Sequence, residues 1–387
     1  MKAAVFHKPG DISVDNVDDP KIKEAEDIIV RVTSTAICGS DLHIYNGFMP
    51  QVKDMVMGHE FMGVVEETGK SVTKVKKGDR VVVPFVIACG SCFFCNKNQH
   101  PNCENTNPKM YGPEGHLVKG KGSGLFGFTD LYGGYDGGQA EYVRVPKANV
   151  GPKVIPDGLK DEQVLFLTDI FPTGWSAVKW AKVKPGDTVA IFGSGPVGLM
   201  AQKAAWLNGA ERVIAIDPLE YRLEKASSVN KVETLNADDD DLIEKIREIT
   251  GGRGADCVID AVGMEPERTL LDRAKAVINF EKGSSKVLEN CFEAVRRGGN
   301  VSVVGVYASN YDNFPVHQLF EKGLNIRFGQ AHVQKYIDEL FEIVQSGKVT
   351  LNDVISHRIP LSKAADGYDI FRNKKDDCVK VVMTPGE

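Results

Sequence analysis

Four cysteines fall inside fifteen residues: Cys89, Cys92, Cys95 and Cys103. Two gaps of two residues and one of seven put four thiolates in one short loop, which suits a closed tetrahedral zinc site. An iron–sulfur run opens with the same C-x2-C steps, but the fourth spacing and the missing Cys-Pro do not fit it. A closed four-cysteine zinc has no open position, so its task is to pin a loop. A second group is dispersed: Cys38-Gly39-Ser40-Asp41-Leu42-His43 lies in one turn, and Gly58-His59-Glu60 follows twenty residues on. Cys38 or His59 alone is commonly a packed core residue and gains meaning only in company. A third constellation, Gly193-Ser194-Gly195-Pro196-Val197-Gly198, matches G-x-G-x-x-G. It directly follows an apolar run over 188–192 and opens a helical stretch, the context in which the motif binds a dinucleotide. Gly193 permits the tight turn, Gly195 lets a pyrophosphate approach the backbone, and Gly198 lets helix and strand pack closely. The helix N-terminus that Pro196 opens offers N–H groups from Val197 onward, and positive dipole charge, to the phosphates. Asp217 ends the next strand, where a carboxylate bonds both hydroxyls of an adenosine ribose and repels a 2′-phosphate, so NAD is expected over NADP. Arg222 either covers the adenine side or is a helix-surface arginine. The carboxyl ends of later strands add Val262, Val304, Gly305 and Val306 to the expected cofactor contacts.

The elements that must hold these groups change character along the chain. The 387 residues, at about 150 per domain, predict two domains. Before residue 150, short β-rich runs over 28–33, 63–67, 79–83 and 140–145 alternate with Gly/Pro/Asp turns, as in a small barrel-like domain. After about 156, apolar strands over 188–192, 212–216, 257–260, 301–306 and 325–328 alternate with helical stretches, the mark of a parallel sheet wrapped by helices. The chain is therefore read as α/β, with residues 1–155 and 330–387 in one domain and 156–329 in the other. The stretch 264–286 exceeds a simple strand-to-helix connection and reads as an insertion near the ligand crevice. A hydrophobic share of 42% and a net charge of −6 describe an ordinary water-exposed globular chain and argue against nucleic-acid or anionic-membrane binding. No apolar run approaches the roughly 20 residues of a membrane span. The N-terminus turns polar too soon for a signal peptide, and a cytoplasmic location is expected.

Taken in order, Cys38-Gly39-Ser40-Asp41, Gly58-His59-Glu60, the Cys89–Cys103 loop and the glycine motif resemble the zinc-dependent medium-chain alcohol dehydrogenases over essentially the whole chain. The resemblance implies a GroES-like catalytic domain, a Rossmann domain and an active site in the cleft between them. It implies two zinc ions per chain, one structural and one catalytic, with NAD as cofactor. Cys38 and His59 become catalytic-zinc ligands. The family's usual third ligand is a cysteine, yet the matching place holds Thr168-Asp169-Ile170-Phe171-Pro172, so Asp169 takes the position. That exchange resembles the glutathione-independent formaldehyde dehydrogenase and aldehyde dismutase branch, as do Gly137-Gly138-Gln139-Ala140-Glu141-Tyr142 and Ile326-Arg327-Phe328-Gly329. Cys⁻, Asp⁻ and neutral His still balance Zn²⁺. Glu60 is read either as a transient ligand or as a carboxylate behind the ligands. By analogy Ser40 takes the substrate proton, which passes by way of the nicotinamide ribose to His43, while Gly39 and Thr173 touch the cofactor. Phe85 either lines the substrate pocket or packs the core. The expected function is hydride transfer between NAD and a small alcohol or aldehyde, in a homo-oligomer, dimer or tetramer. A polyol or threonine-type secondary alcohol dehydrogenase and a non-catalytic NAD-binding sensor are the competing readings.

Overall fold

The computed structural model describes residues 1–49, 51, 54–107, 122–263, 286–307 and 314–386. The expected insertion over 264–286 thus falls, but for Lys286, outside the described residues. The chain divides into two compact units, Met1–Pro172 with His332–Glu387, and Thr173–Ala331. Residues 156–172, which the change of pattern assigns to the second region, pack with the first.

The first unit is built on the strand Ile28–Ala36. It pairs antiparallel with Glu60–Thr68 along its whole length, and with Tyr142–Val145 and Val381–Thr384. Breaks in register at Ile29/Val30 and Val32/Ser34 mark bulges that bend this central pair. Alternate residues Ile28, Val30 and Val32 point inward and meet Phe61, Val65, Val81, Val83 and Phe126 in a continuous apolar core. The expected return of the chain's end to this region takes the form of Val381–Thr384, parallel to His357–Pro360.

The second unit is a six-stranded, wholly parallel sheet. Its spatial order is Glu233–Asn236, Arg212–Asp217, Thr188–Phe192, Ala255–Asp260, Val295–Val303 and Asn325–Phe328. Numbered along this unit that is 3-2-1-4-5-6, the doubly wound Rossmann order, whose crevice lies at the carboxyl ends where the order reverses. The strand expected over 301–306 ends at Val303 instead. There the Val304 N–H makes the last ladder bond to the Asp260 carbonyl at 3.0 Å, and the Gly305 N–H turns onto the same oxygen at 3.1 Å, which ends the pairing. Among the described residues no helix is long and apolar enough to cross a membrane.

Candidate functional site

Cys38 stands two residues beyond the strand Ile28–Ala36, and His59 immediately before Glu60–Thr68, so the pairing of those strands brings the two turns together. The Cys38 turn is closed by Asp41, whose Oδ2 accepts from the Cys38 N–H at 3.0 Å. The His59 turn requires Gly58 at φ +98°, where any Cβ would collide with Gln139. Asp169 arrives from a third place, between the turn Leu165–Leu167 and the helix Ile170–Trp180. Thr168 fixes that turn by accepting the Phe85 N–H at 3.2 Å.

Cys38, His59, Glu60 and Asp169 each bring a ligand atom within 4.8 Å of all the others, and all four are buried. Asp169 Oδ2 lies 3.3 Å from both Cys38 Sγ and His59 Nε2. Ser40 Oγ is 3.1 Å from the same Nε2. The other ring nitrogen, Nδ1, lies 3.0 Å from Asp41 Oδ1 without a hydrogen bond between them, and Nε2 is the nitrogen that faces the cluster. Burial, followed by the Asp169 and Glu60 charges, pushes the Cys38 thiol up to about 11. Burial opposes charge on His59, but Asp41 and Cys38 together raise its ring well above 6.5. Burial also pushes Glu60 up, with Lys380 pulling the other way. Lys380 is itself wholly buried, 2.5 Å from Glu60 Oε1 and 2.9 Å from the Ile37 carbonyl. Glu60 Oε2 is buried with no hydrogen-bond partner. A buried thiol whose proton affinity two neighbouring carboxylates raise, an imidazole among them and an orphaned carboxylate oxygen are a donor set that a divalent cation would satisfy. Phe85 and Phe128 stand edge-on to the His59 ring, with centroids at 6.0 and 6.1 Å. Ser40 and His43 are half-buried and Gly39 is exposed, with open space where a Cβ would be.

Cys89, Cys92, Cys95 and Cys103 likewise bring their sulfurs within 4.8 Å of one another, and none forms a disulfide. Cys89 Sγ accepts from Asn105 Nδ2 at 3.3 Å and the Ser91 N–H at 3.5 Å. Burial opposes ionisation of this thiol, but these donors outweigh it and bring it down to about 6. Cys103 Sγ accepts the Cys89 N–H at 3.3 Å. Backbone donors aimed at sulfur are the second layer that thiolate ligands of a structural zinc require.

In the second unit Gly193 turns at φ +93°, and a Cβ on Gly198 would collide with the Gly193 carbonyl oxygen. Gly195 opens the helix Pro196–Leu207, and among the described residues only the Arg222 guanidinium lies near its free face. Asp217 Oδ2 accepts the Ser194 N–H at 2.8 Å and lies 3.5 Å from Arg222 Nη1, while Oδ1 accepts the Leu219 N–H at 3.0 Å. Val262, Gly305 and Val306 gather at the ends of neighbouring strands, Val262 against Gly193 and the other two against Gly263. Val304 stands beside them in the turn. Thr173 is buried in the helix Ile170–Trp180.

Two regions match known families: residues 24–157 the alcohol dehydrogenase GroES-like domain, and 196–274 the zinc-binding dehydrogenase domain. An uncharacterised zinc-type alcohol dehydrogenase-like protein of Bacillus subtilis is 46% identical over 389 residues, covering 100% of both chains. This chain belongs to the zinc-dependent medium-chain alcohol dehydrogenase family. Among solved structures, the dehydrogenase resembles the alcohol dehydrogenase TADH from Thermus sp. ATN1, with a TM-score of 0.85 and 35% identity over 100% of both chains. A glutathione-independent formaldehyde dehydrogenase of Bacillus subtilis is 33% identical, covering 99% of this chain and 97% of its own. Around the metal-ligand cluster of this dehydrogenase, Lys380, Phe128, Gln139 and Tyr368 have roles that sequence reading passes over. A lysine just ahead of the apolar strand Val381–Thr384, and Gln139 within the Gly137-Gly138-Gln139 run, were the local signals.

Proposed function

We propose that this dehydrogenase transfers hydride between NAD and a small alcohol or aldehyde at a zinc held by Cys38, His59 and Asp169, with formaldehyde-type substrates foremost. The convergence of those three side chains carries the reading. The metal would supply Lewis acidity worth several kcal/mol toward loss of a substrate hydroxyl proton. The chain's own residues do the rest. Asp41 stands against the His59 ring at Nδ1, and Ser40 Oγ takes the substrate proton as its own hydroxyl proton leaves toward His43. Phe85 and Phe128 keep water from the His59 ring. Glu60, tied to Lys380, stands behind the ligands with one oxygen in reserve.

NAD is preferred because Asp217 already neutralises the nearest guanidinium, that of Arg222, and presents negative charge where a 2′-phosphate would sit. The four-cysteine site pins its loop. Eight cysteines with no disulfide agree with a reducing, cytoplasmic setting. Among the described residues the sheet ends in the uncovered strand Asn325–Phe328, where Phe328 is exposed, as are Val316 and Phe320 on the helix before it. We assign this edge to a homo-oligomer contact.

The test is an NADH-absorbance screen of the zinc-loaded protein over formaldehyde, short aldehydes, primary alcohols, polyols and threonine, with NADP in parallel and Asp169→Ala beside the wild type. Turnover with small primary substrates and NAD is expected, together with loss of both one zinc and turnover in the variant. Full metal and full turnover in Asp169→Ala would remove the third ligand. Turnover confined to polyols or threonine would move the substrate class, and none at all with both zincs bound would favour a sensor.

A further inference from the structure

The segment Gly137-Gly138-Gln139 has no part in the chemistry above, yet it is packed onto the turn that presents His59. Gly138 and Gln139 donate their N–H groups to the carbonyls of Gly58 and Met57 at 2.8 and 2.9 Å. A Cβ on Gly137 would collide with those two carbonyl oxygens, so no larger residue allows this approach. The Gln139 side chain is completely buried, and both ends of its amide are engaged. Nε2 lies 3.2 Å from both the Ala36 carbonyl and Asp41 Oδ2. Both partners only accept, which fixes the amide nitrogen toward them and leaves Oε1 to take the Tyr368 hydroxyl proton at 2.8 Å. Tyr368 comes from the helix Ala364–Asn373 and is also fully buried.

Asp41 is the next link. Its Oδ2 is held by the Cys38 N–H at 3.0 Å and by Gln139, and its Oδ1 stands 3.0 Å from His59 Nδ1. A carboxylate gripped on one oxygen from two directions cannot rotate away from the imidazole. The ring is thereby backed on its Nδ1 side, with Nε2 3.3 Å from Asp169 Oδ2.

We infer that Gln139 and Tyr368 are positioning residues for the metal-binding imidazole, acting in series through Asp41 on His59. The inference rests on the reading of Cys38, His59 and Asp169 as a zinc site. Groups behind a metal ligand change metal affinity by about 10- to 100-fold. Gln139 is one step further out, so its removal is expected near the lower end, and that of Tyr368 below it.

The experiment follows zinc leaving the intact holoprotein into excess 4-(2-pyridylazo)resorcinol, which chelates and reports the metal at once. Wild type should release two zincs in two phases, one for each cluster. Gln139→Met fills the same space without polar atoms and should speed one phase by about tenfold, leaving the phase of the four-cysteine site at its wild-type rate. Tyr368→Phe should act on the same phase by a smaller factor. The double variant should match Gln139→Met alone, because the tyrosine works through the amide. Cobalt(II) in the affected site should show a shifted visible spectrum in Gln139→Met. Unchanged release in both single variants, or both phases speeding together, would overturn the inference. Only one zinc in the wild type would instead remove the site reading beneath it.

Discussion

Asp169 shows how a ligand exchange reaches its neighbours. Carboxylate oxygen is harder than sulfur and binds zinc at a shorter distance, and here it also lies against the Cys38 thiol, which burial and this charge push up to about 11. Without metal that thiol holds its proton at neutral pH, and the His59 ring, which burial would keep neutral, has its proton affinity raised by the Asp41 carboxylate. Protons so held must leave when zinc enters. Raised pKa values mean bound protons at neutrality, so zinc affinity at this site falls in acid and climbs with pH, by about tenfold per unit for each proton displaced. Titrating metal-free protein with zinc in a weakly buffered indicator dye should reveal those protons. Uptake at the Cys38 site with no acidification and no pH dependence would contradict the proton-holding state described here.

At the scale of elements, the glycine turn carries the sharpest steric demand. Gly198 begins its helix so close to Thr188–Phe192 that an added methyl meets the Gly193 carbonyl oxygen. Gly198→Ala is expected to cost about 1–3 kcal/mol of stability by overpacking and to weaken NADH binding by moving the Pro196–Leu207 N-terminus off the phosphates. Nucleotide fluorescence and thermal unfolding, measured together, check both effects. Wild-type binding and stability would refute them. This motif was readable in sequence because strand, turn and helix are contiguous, so local spacing encodes their geometry. Cys38 and His59 were readable for a related reason, since each lies in a short turn with a distinctive neighbour. Lys380, Gln139 and Tyr368 meet the site across 320, 98 and 229 residues of chain, from Glu60, Asp41 and Gln139 respectively, and no local spacing announces such contacts. The end of Val295–Val303 was overrun for the opposite reason. Val304 and Val306 favour strand by type, but the Asp260 carbonyl claims the N–H groups at 304 and 305.

At the scale of the whole molecule, the open edge of the parallel sheet sets the expected assembly. Among the described residues, Asn325–Phe328 leaves one row of backbone groups without a neighbouring strand, and Phe320, 81% exposed, stands on the helix that precedes it. Phe320→Glu should therefore shift the light-scattering mass toward that of one 42.3 kDa chain, with secondary structure intact by circular dichroism. A wild type already at that mass would dispose of the edge contact.

The first unit is also discontinuous: Val381–Thr384 pairs beside Thr35 and Ala36, and Lys380 neutralises Glu60 among the candidate ligands. A ribosome making this protein emits the contiguous second unit in full before it emits that closing strand. On a nascent chain the nucleotide fold is free to form early, whereas the candidate metal pocket stays unfinished until that closing strand has followed it. Assembly of that pocket thus comes after synthesis of the whole nucleotide-binding unit.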